Sequence, residues 1–211
     1  MITKFFILLV LFFGLSFALD EIWQKIFTGR KYRFFLVPGV IVHEFSHALA
    51  CLVAGAKIRE INLFSSSGGY VAHEEPKLPI LGEILVSLAP VFGGLAAVLA
   101  LSSLFQFPLP VASAGFLKWF VLNWLNWKFW LFAYLNISII ICLVPSFQDL
   151  KNASLALLLA LVLTWFLKGG PALGIFFRSY LLTPLSAGVG FEVFFLTISL
   201  PFYFLRLLLR R

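Results

Sequence analysis

The stretch Val42-His43-Glu44-Phe45-Ser46-His47-Ala48 contains the motif His-Glu-x-x-His and lies within an apolar run from Phe34 to Val53. As a helix with a rise of 1.5 Å per residue, this run of roughly twenty residues would be about 30 Å long, which is the thickness of the hydrocarbon core of a bilayer. The sequence therefore predicts a membrane-spanning helix that carries two histidines and a glutamate at membrane depth.

The spacing of these three residues indicates metal chemistry. His43 and His47 are one helical turn apart, so both imidazoles project from the same face and can bind one metal ion. Glu44 lies on the adjoining face, where its carboxylate can accept a proton from a water activated by the metal. Ionisable groups inside a bilayer cost at least a few kcal/mol each, so three together require a reason. A bound zinc ion is one reason; an unrelated intramembrane cavity or a helix-packing cluster is the alternative.

The composition is that of a membrane protein. The chain is 62% hydrophobic and only 12% charged, far from the balance of a soluble domain. We predict an all-α polytopic membrane protein with about six transmembrane helices and a short β-hairpin near the active site. The net charge of +7 does not indicate nucleic acid, because Lys and Arg stand at the ends of apolar runs, where they meet lipid headgroups. Cys51 and Cys142 fall in predicted spans, so no disulfide framework is expected.

Hydrophobic pattern and turn signals predict one membrane-embedded domain over residues 1–211, with a core at 34–151. The first helix fits a retained span better than a cleaved signal peptide. The alternative to the predicted hairpin is an ordinary loop. The predicted elements are a first helix at 5–19, a polar connection at 20–33, a second helix at 34–53, strands at 58–64 and 69–73, a third helix at 80–105, an interfacial Trp-rich segment at 116–130, a fourth helix at 129–144 and flanking helices at 153–167 and 188–209.

The motif His43-Glu44-Phe45-Ser46-His47, followed some twenty residues later by Gly-Gly-Tyr-Val, resembles the site-2 protease family of intramembrane zinc metalloproteases. The resemblance covers roughly Phe34 to Lys151. It implies that the hairpin dips into the membrane beside the zinc and offers a strand edge to an extended substrate. Ser46, Gln148 and the hairpin are expected to line a cleft that admits water.

The resemblance also implies a third zinc ligand, Asp149, after the fourth helix. The chain keeps one proline of the family pattern at Pro145 but has Leu150 where a glycine is expected. The alternative is that Ser146-x-x-Asp149 forms a capping box at a helix start. Cys51 is one turn beyond His47, but three ligands along one straight helix are spread over about 12 Å, too far to bind one tetrahedral ion.

By resemblance, the protein is an intramembrane zinc metalloendopeptidase that cleaves in or near a transmembrane segment of a membrane protein, as in regulated intramembrane proteolysis. His43, His47 and Asp149 would bind one Zn²⁺ per chain, and Glu44 would be the general base. The expected partners are that substrate and the lipid bilayer, with no nucleic acid, and the expected location is the cell membrane of a prokaryote, as a multi-pass protein. A non-proteolytic zinc transporter or sensor, and an inactive helix-binding scaffold, remain open.

The resemblance places the hairpin and the carboxyl terminus in the cytoplasm. With six spans, that arrangement divides the sixteen Lys and Arg residues equally between the two faces, with Arg206 counted on the hairpin side. The positive-inside rule therefore neither supports nor opposes it.

Overall fold

The computed structural model of the chain describes residues 2–27, 29–65, 68–77, 79–109, 113–143, 149, 151 and 182–209. Within these residues the chain is helical apart from one β-hairpin, so the predicted fold class is confirmed. The elements are α1 (Ile2–Ile26), a 3-10 helix (Gly29–Leu36), α2 (Val37–Ala54), β1 (Ile58–Ser65), β2 (Gly68–His73), α3 (Pro79–Phe105), α4 (Ser113–Asn123), α5 (Trp127–Cys142) and α6 (Thr183–Leu209).

Within the described part of the chain, four helical segments are long and apolar enough to cross a membrane: Lys4–Ile26, Tyr32–Ala54, Pro79–Phe105 and Thr183–Leu209. The helix α5 is equally apolar but shorter. These segments identify a membrane protein, as the composition predicts. The predicted helix at 153–167 lies outside the described residues.

Two predicted helix boundaries are wrong. The first helix does not end at residue 19, because a hydrogen bond from Gln24 to Asp20 and an ion pair between Lys25 and Glu21 support a further turn and a half at i, i+4 spacing. The last helix begins at Thr183 rather than at residue 188, with Pro184 in its first turn, where a missing N–H is harmless.

The Trp-rich segment at 116–130, which is predicted to be interfacial, has only some of its indoles exposed. It forms the end of α4 and the start of α5, and Trp124 and Trp127 are exposed as predicted. Trp119 is instead buried among aromatic rings, with its ring centroid 4.8 Å from that of Phe129 and 5.8 Å from that of Phe191. The helix packing, which the local sequence does not show, decides which indoles meet lipid.

The helices α2 and α3 run antiparallel and approach closely through small residues. A Cβ on Gly82 would be 3.3 Å from that of Ala54, and a Cβ on Gly93 would collide with the Ser46 side chain. Close approach of this kind is how helices associate in membranes, where no hydrophobic force drives them together. It brings the backbone of α3 next to the His-Glu-x-x-His face of α2.

The end of α5 completes the start of α2. Leu36, the residue before α2, makes no side-chain capping bond, and Pro38 has no N–H. The backbone N–H of Gly39 donates to Ser138 Oγ on α5 at 2.9 Å, and a Cβ on Gly39 would collide with the Ser138 carbonyl. A buried N–H that the helix itself leaves unpaired is therefore satisfied from the neighbouring helix.

Replacing Ser138 with alanine is expected to destabilise the protein by about 1–2 kcal/mol, because the Gly39 N–H would lose its partner in an apolar surrounding. Thermal unfolding in a mild detergent measures the loss. Thr197→Ala is the matched control, since its exposed hydroxyl only bonds the carbonyl of Val193 in its own helix. Equal melting temperatures for Ser138→Ala and the unmodified protein would contradict the assigned cap.

The first and last helices pack in parallel. Three polar contacts join them at a spacing of seven residues along α6: Ser16 donates to Glu192, the Trp23 indole donates to Ser199 at 2.8 Å, and Arg206 donates to the carbonyl of Ile26. Glu192 and Ser16 are fully buried. The role of Glu192, which the sequence leaves open, includes holding α6 against α1.

This parallel packing corrects the expected topology. The helix α3 runs antiparallel to α5, since Gly94 meets Leu143 and Phe105 meets Phe132. The helix α1 also runs antiparallel to α5: Ser16 lies near the Ile140 carbonyl, and the end of α1 lies beside the start of α5. The helices α1, α3 and α6 therefore share one direction, with the hairpin at their starting face. The end of α6 lies at the opposite face, contrary to the expectation from family resemblance. Arg206 is therefore not on the hairpin side, where the count of Lys and Arg residues had placed it.

Single cysteines should report this topology in a background that carries Cys51→Ala and Cys142→Ala. We expect Lys57→Cys, directly before the hairpin, and Lys4→Cys at the start of α1 to react on the same side of the membrane with an impermeant maleimide. Leu209→Cys at the end of α6 should react only from the other side. Labelling of Lys57→Cys and Leu209→Cys from one side would refute the parallel packing of α1 and α6.

Candidate metal centre

The structure brings the three predicted metal ligands together. His43 and His47 project from α2, and Asp149 approaches them from the chain beyond α5. The Nε2 atoms of the two histidines are 3.2 Å apart, and His47 Nε2 is 3.8 Å from Asp149 Oδ2. All three ligand atoms lie within 4.8 Å of one another. One ion between them could therefore contact each residue.

Backbone carbonyls fix both imidazole rings. Nδ1 of His43 is 2.5 Å from the carbonyl oxygen of Cys142, and Nδ1 of His47 is 2.9 Å from that of Val86. A carbonyl oxygen can only accept, so each Nδ1 carries a hydrogen, and a ring in its neutral form then has a bare Nε2. Such an outer hydrogen bond orients the ring and selects the nitrogen that binds metal.

The contact to Cys142 also completes the end of α5. The last carbonyls of a helix have no partner inside it, and the Cys142 carbonyl is satisfied by the His43 ring. Each helix thus pairs a backbone group at an end of the other: Ser138 of α5 pairs the Gly39 N–H of α2, and His43 of α2 pairs the Cys142 carbonyl of α5. The face of α2 that carries the candidate ligands is thus held against α5 by these two bonds.

The donor set fits a catalytic zinc ion. The two Nε2 atoms are 3.2 Å apart, close enough for one cation to bind both. With zinc–ligand bonds of about 2.0–2.1 Å, the edges of a tetrahedron are roughly 3.3 Å. The two Nε2 atoms, 3.2 Å apart, match this edge, whereas the Asp149 carboxylate, 3.8 Å from His47 Nε2, would have to move closer to bind the same ion. Two imidazoles and one carboxylate leave the fourth position to water, as in catalytic zinc sites.

Glu44 lies beside this centre under strand β2. Its side chain is 5% exposed and lines a cavity of about 310 Å³ together with His43, His47 and Asp149. A Cβ on Gly69 would stand 2.6 Å from Glu44 Oε1, too close for any other residue without a shift. The absence of a side chain at Gly69 therefore lets the hairpin cover the glutamate without displacing it.

The remaining walls of the cavity come from the hairpin and from α3. In the hairpin, β1 and β2 pair antiparallel, with Ile61 opposite Val71. The Tyr70 phenol donates to Glu60 at 2.8 Å, and this bond raises the pKa of Tyr70. The additional lining residues are Tyr70, Val71, His73, Glu83, Val86 and Ser87. Sequence reasoning missed Glu83 and Ser87, whose position depends on how α3 packs on α2.

Ser46 lies elsewhere than expected, whereas Cys51 lies outside the ligand group, as expected. Ser46 does not line the cavity; it donates to the Val42 carbonyl at 2.6 Å and packs against Gly93. Cys51 is fully buried in a small cluster with Ala50, Ala56 and Val86, apart from the ligand group. Gln148 and the capping-box residue Ser146 lie outside the described residues.

A membrane-embedded helical bundle that presents two imidazoles and a carboxylate to one cavity is a membrane protein with a candidate metal centre. The family model described as Peptidase M50B-like matches residues 9–171, so the chain belongs to this peptidase family, which is part of the site-2 protease group. The resemblance seen in the sequence is thereby confirmed. No curated protein and no solved structure matches the chain.

Proposed function

We propose that this protein is a zinc endopeptidase that cleaves a peptide bond in or near a transmembrane segment of another membrane protein. The observation that carries the proposal is the meeting of two bare imidazole nitrogens, the Asp149 carboxylate and the Glu44 carboxylate at one cavity inside the helix bundle. Membership of a peptidase family agrees with it.

One zinc ion per chain would be held by His43, His47 and Asp149. When bound, zinc supplies a Lewis acid that activates water and polarises the scissile carbonyl. The protein's own contribution is orientation: the carbonyls of Cys142 and Val86 hold the two rings so that Nε2 faces the cavity. The orientation of the two rings thus follows from the packing of α2 against α3 and α5.

Glu44 is the proposed general base. It accepts the proton of the attacking water and passes it to the leaving amine, which is the role of the glutamate in this motif. Its carboxylate is buried next to Gly69, so it is held in place and shielded from bulk water. Neither histidine can take this role while its Nδ1 donates to a carbonyl and its Nε2 binds metal.

The hairpin is the proposed substrate-binding element. A helical substrate hides its peptide bonds, so it must become extended before it can be cut. Gly69, Tyr70 and Val71 of β2 line the cavity, and an extended segment could add to the edge of this strand. The proposed substrate is therefore a membrane-spanning segment that unwinds readily.

The proposed setting is regulated intramembrane proteolysis in the cell membrane of a prokaryote. Residues 1–211 would form one multi-pass domain whose partners are the substrate and the lipid bilayer, with no nucleic acid. A zinc transporter or sensor would need the two histidines but not Glu44, and a helix-binding scaffold would need none of the three.

Metal analysis of the purified protein, together with cleavage of a transmembrane reporter in liposomes, tests the proposal. We expect about one zinc per chain and cleavage that a chelator abolishes and added zinc restores. Zinc without cleavage of any reporter would favour the transporter or sensor. A protein that neither binds zinc nor cleaves a reporter would favour the inactive helix-binding scaffold.

The Gly69→Ala variant is expected to slow cleavage by at least about tenfold while zinc content stays unchanged. The added Cβ would lie 2.6 Å from the Glu44 carboxylate, so either the glutamate or the hairpin must move, and small misplacements are costly in catalysis. Gly14→Ala in α1 is the matched control, because nothing lies within 4 Å of its Cβ position. Wild-type turnover in Gly69→Ala would show that the Glu44 position does not depend on this contact.

A further inference from the structure

A second cavity lies on the outside of the helix bundle, away from the metal centre. It has a volume of about 440 Å³ and runs between α1, the 3-10 helix, α5 and α6. Its walls are mostly large apolar side chains, among them Trp23, Phe27, Trp130, Tyr134, Phe195 and Phe202. We call it the outer groove. It shares no lining residue with the metal cavity.

The outer groove opens towards the bilayer. Phe35, Trp130 and Phe202 on its walls are 50%, 43% and 58% exposed, and they belong to apolar helical segments of the membrane-embedded bundle. The groove is too small to enclose a whole helix, which is about 10–12 Å across and needs more than about 1000 Å³ over three turns. A flexible alkyl chain is the occupant of matching size and chemistry.

The positively charged side chain of Arg206 lies at one end of the outer groove. Arg206 lies one turn beyond Phe202 on the same stripe of α6, and its guanidinium donates to the carbonyl of the groove residue Ile26. Among the residues that the structure describes, no carboxylate forms an ion pair with Arg206. A guanidinium has five donors in a planar fork that suits phosphate, so one bond to Ile26 leaves most of them available.

We propose that the outer groove binds an anionic phospholipid, with one acyl chain between α1, α5 and α6 and the phosphate on Arg206. Arg206 is near the end of α6, at the depth where lipid headgroups begin, so chain and phosphate can engage together. The uncompensated charge at the rim selects an anionic headgroup over a zwitterionic one. This inference does not depend on the peptidase activity.

Native mass spectrometry of the full chain, purified in mild detergent with equal amounts of phosphatidylglycerol and phosphatidylcholine, tests the site. The wild-type protein should retain one phosphatidylglycerol in preference to phosphatidylcholine. Arg206→Gln should lower that preference about five- to tenfold, in line with the attraction of a single cation for anionic lipid. Arg59→Gln is the matched control, because Arg59 lies in the hairpin at the other face and pairs with Glu74.

A second variant tests the chain-binding part of the site. Ile198→Trp should fill the outer groove and reduce retention of both lipids, whereas Arg206→Lys should keep the preference for phosphatidylglycerol. Should Arg206→Gln fail to fold, the wild-type competition and these two variants decide the question. Equal retention of both lipids by the wild type, or an equal effect of Arg59→Gln and Arg206→Gln, would overturn the proposal. A lipid-free dimer would also overturn it, by assigning the outer groove to a second copy.

Discussion

Glu44→Gln is expected to reduce cleavage of a transmembrane reporter by about 10²–10⁴-fold or more, while the protein still binds close to one zinc per chain. Glutamine has the size of glutamate and fits the space under Gly69, but its amide cannot accept the proton of the attacking water. Because Glu44 is not among the three grouped ligand residues, the metal content should not change. Single-turnover cleavage and metal analysis on the same preparation separate the two effects.

The control for this variant is Glu21→Gln, which removes an exposed carboxylate from α1 that pairs only with Lys25. It should cleave at the wild-type rate. Near wild-type turnover in Glu44→Gln would remove Glu44 from the role of general base. Loss of zinc in Glu44→Gln would instead show that the carboxylate supports the metal directly.

Removal of a metal ligand should have an equally large effect of a different kind. His47→Ala and Asp149→Ala are expected to lose both zinc and activity, with zinc affinity falling by well over the 10–100-fold that follows loss of an outer partner. Asp149 is the informative position, because it is the member of the three-residue ligand group that lies outside α2. Equilibrium competition with a zinc-binding dye measures the affinity of each variant.

Two controls make the Asp149 result specific. Asp149→Ser can still serve the start of a helix but is a poor zinc ligand, so it should behave like Asp149→Ala. Cys51→Ala should leave zinc and activity unchanged, since Cys51 is buried apart from the ligand group. Full zinc occupancy in Asp149→Ser would show that Asp149 serves only the start of a helix and is not a zinc ligand.

The sequence determined the parts of this protein that depend on local spacing. His43, Glu44 and His47 lie on one helix, so their relative placement follows from the 3.6-residue period alone. The spans and the hairpin follow from apolar runs and turn residues. Among the residues that the structure describes, their bounds were predicted to within a few residues except at the end of α1 and the start of α6. Polar residues at i, i+4 spacing extend α1 beyond residue 19. Polar residues also occur in the connections between helices, so this spacing alone does not show where a helix ends.

The tertiary structure decided everything that depends on two helices meeting. The carbonyls of Cys142 and Val86 orient the imidazoles, yet neither residue type signals that role, since every residue carries a carbonyl. Glu83 reaches the cavity, and Ser46 turns away from it, because Gly93 brings α3 against α2. The parallel contact of α1 with α6 places the end of the last helix opposite the hairpin, which charge counting could not resolve. The helical period determines which side chains share one face of a helix. Contacts between residues distant in sequence determine which groups of other helices lie against that face, and only the folded chain brings those residues together.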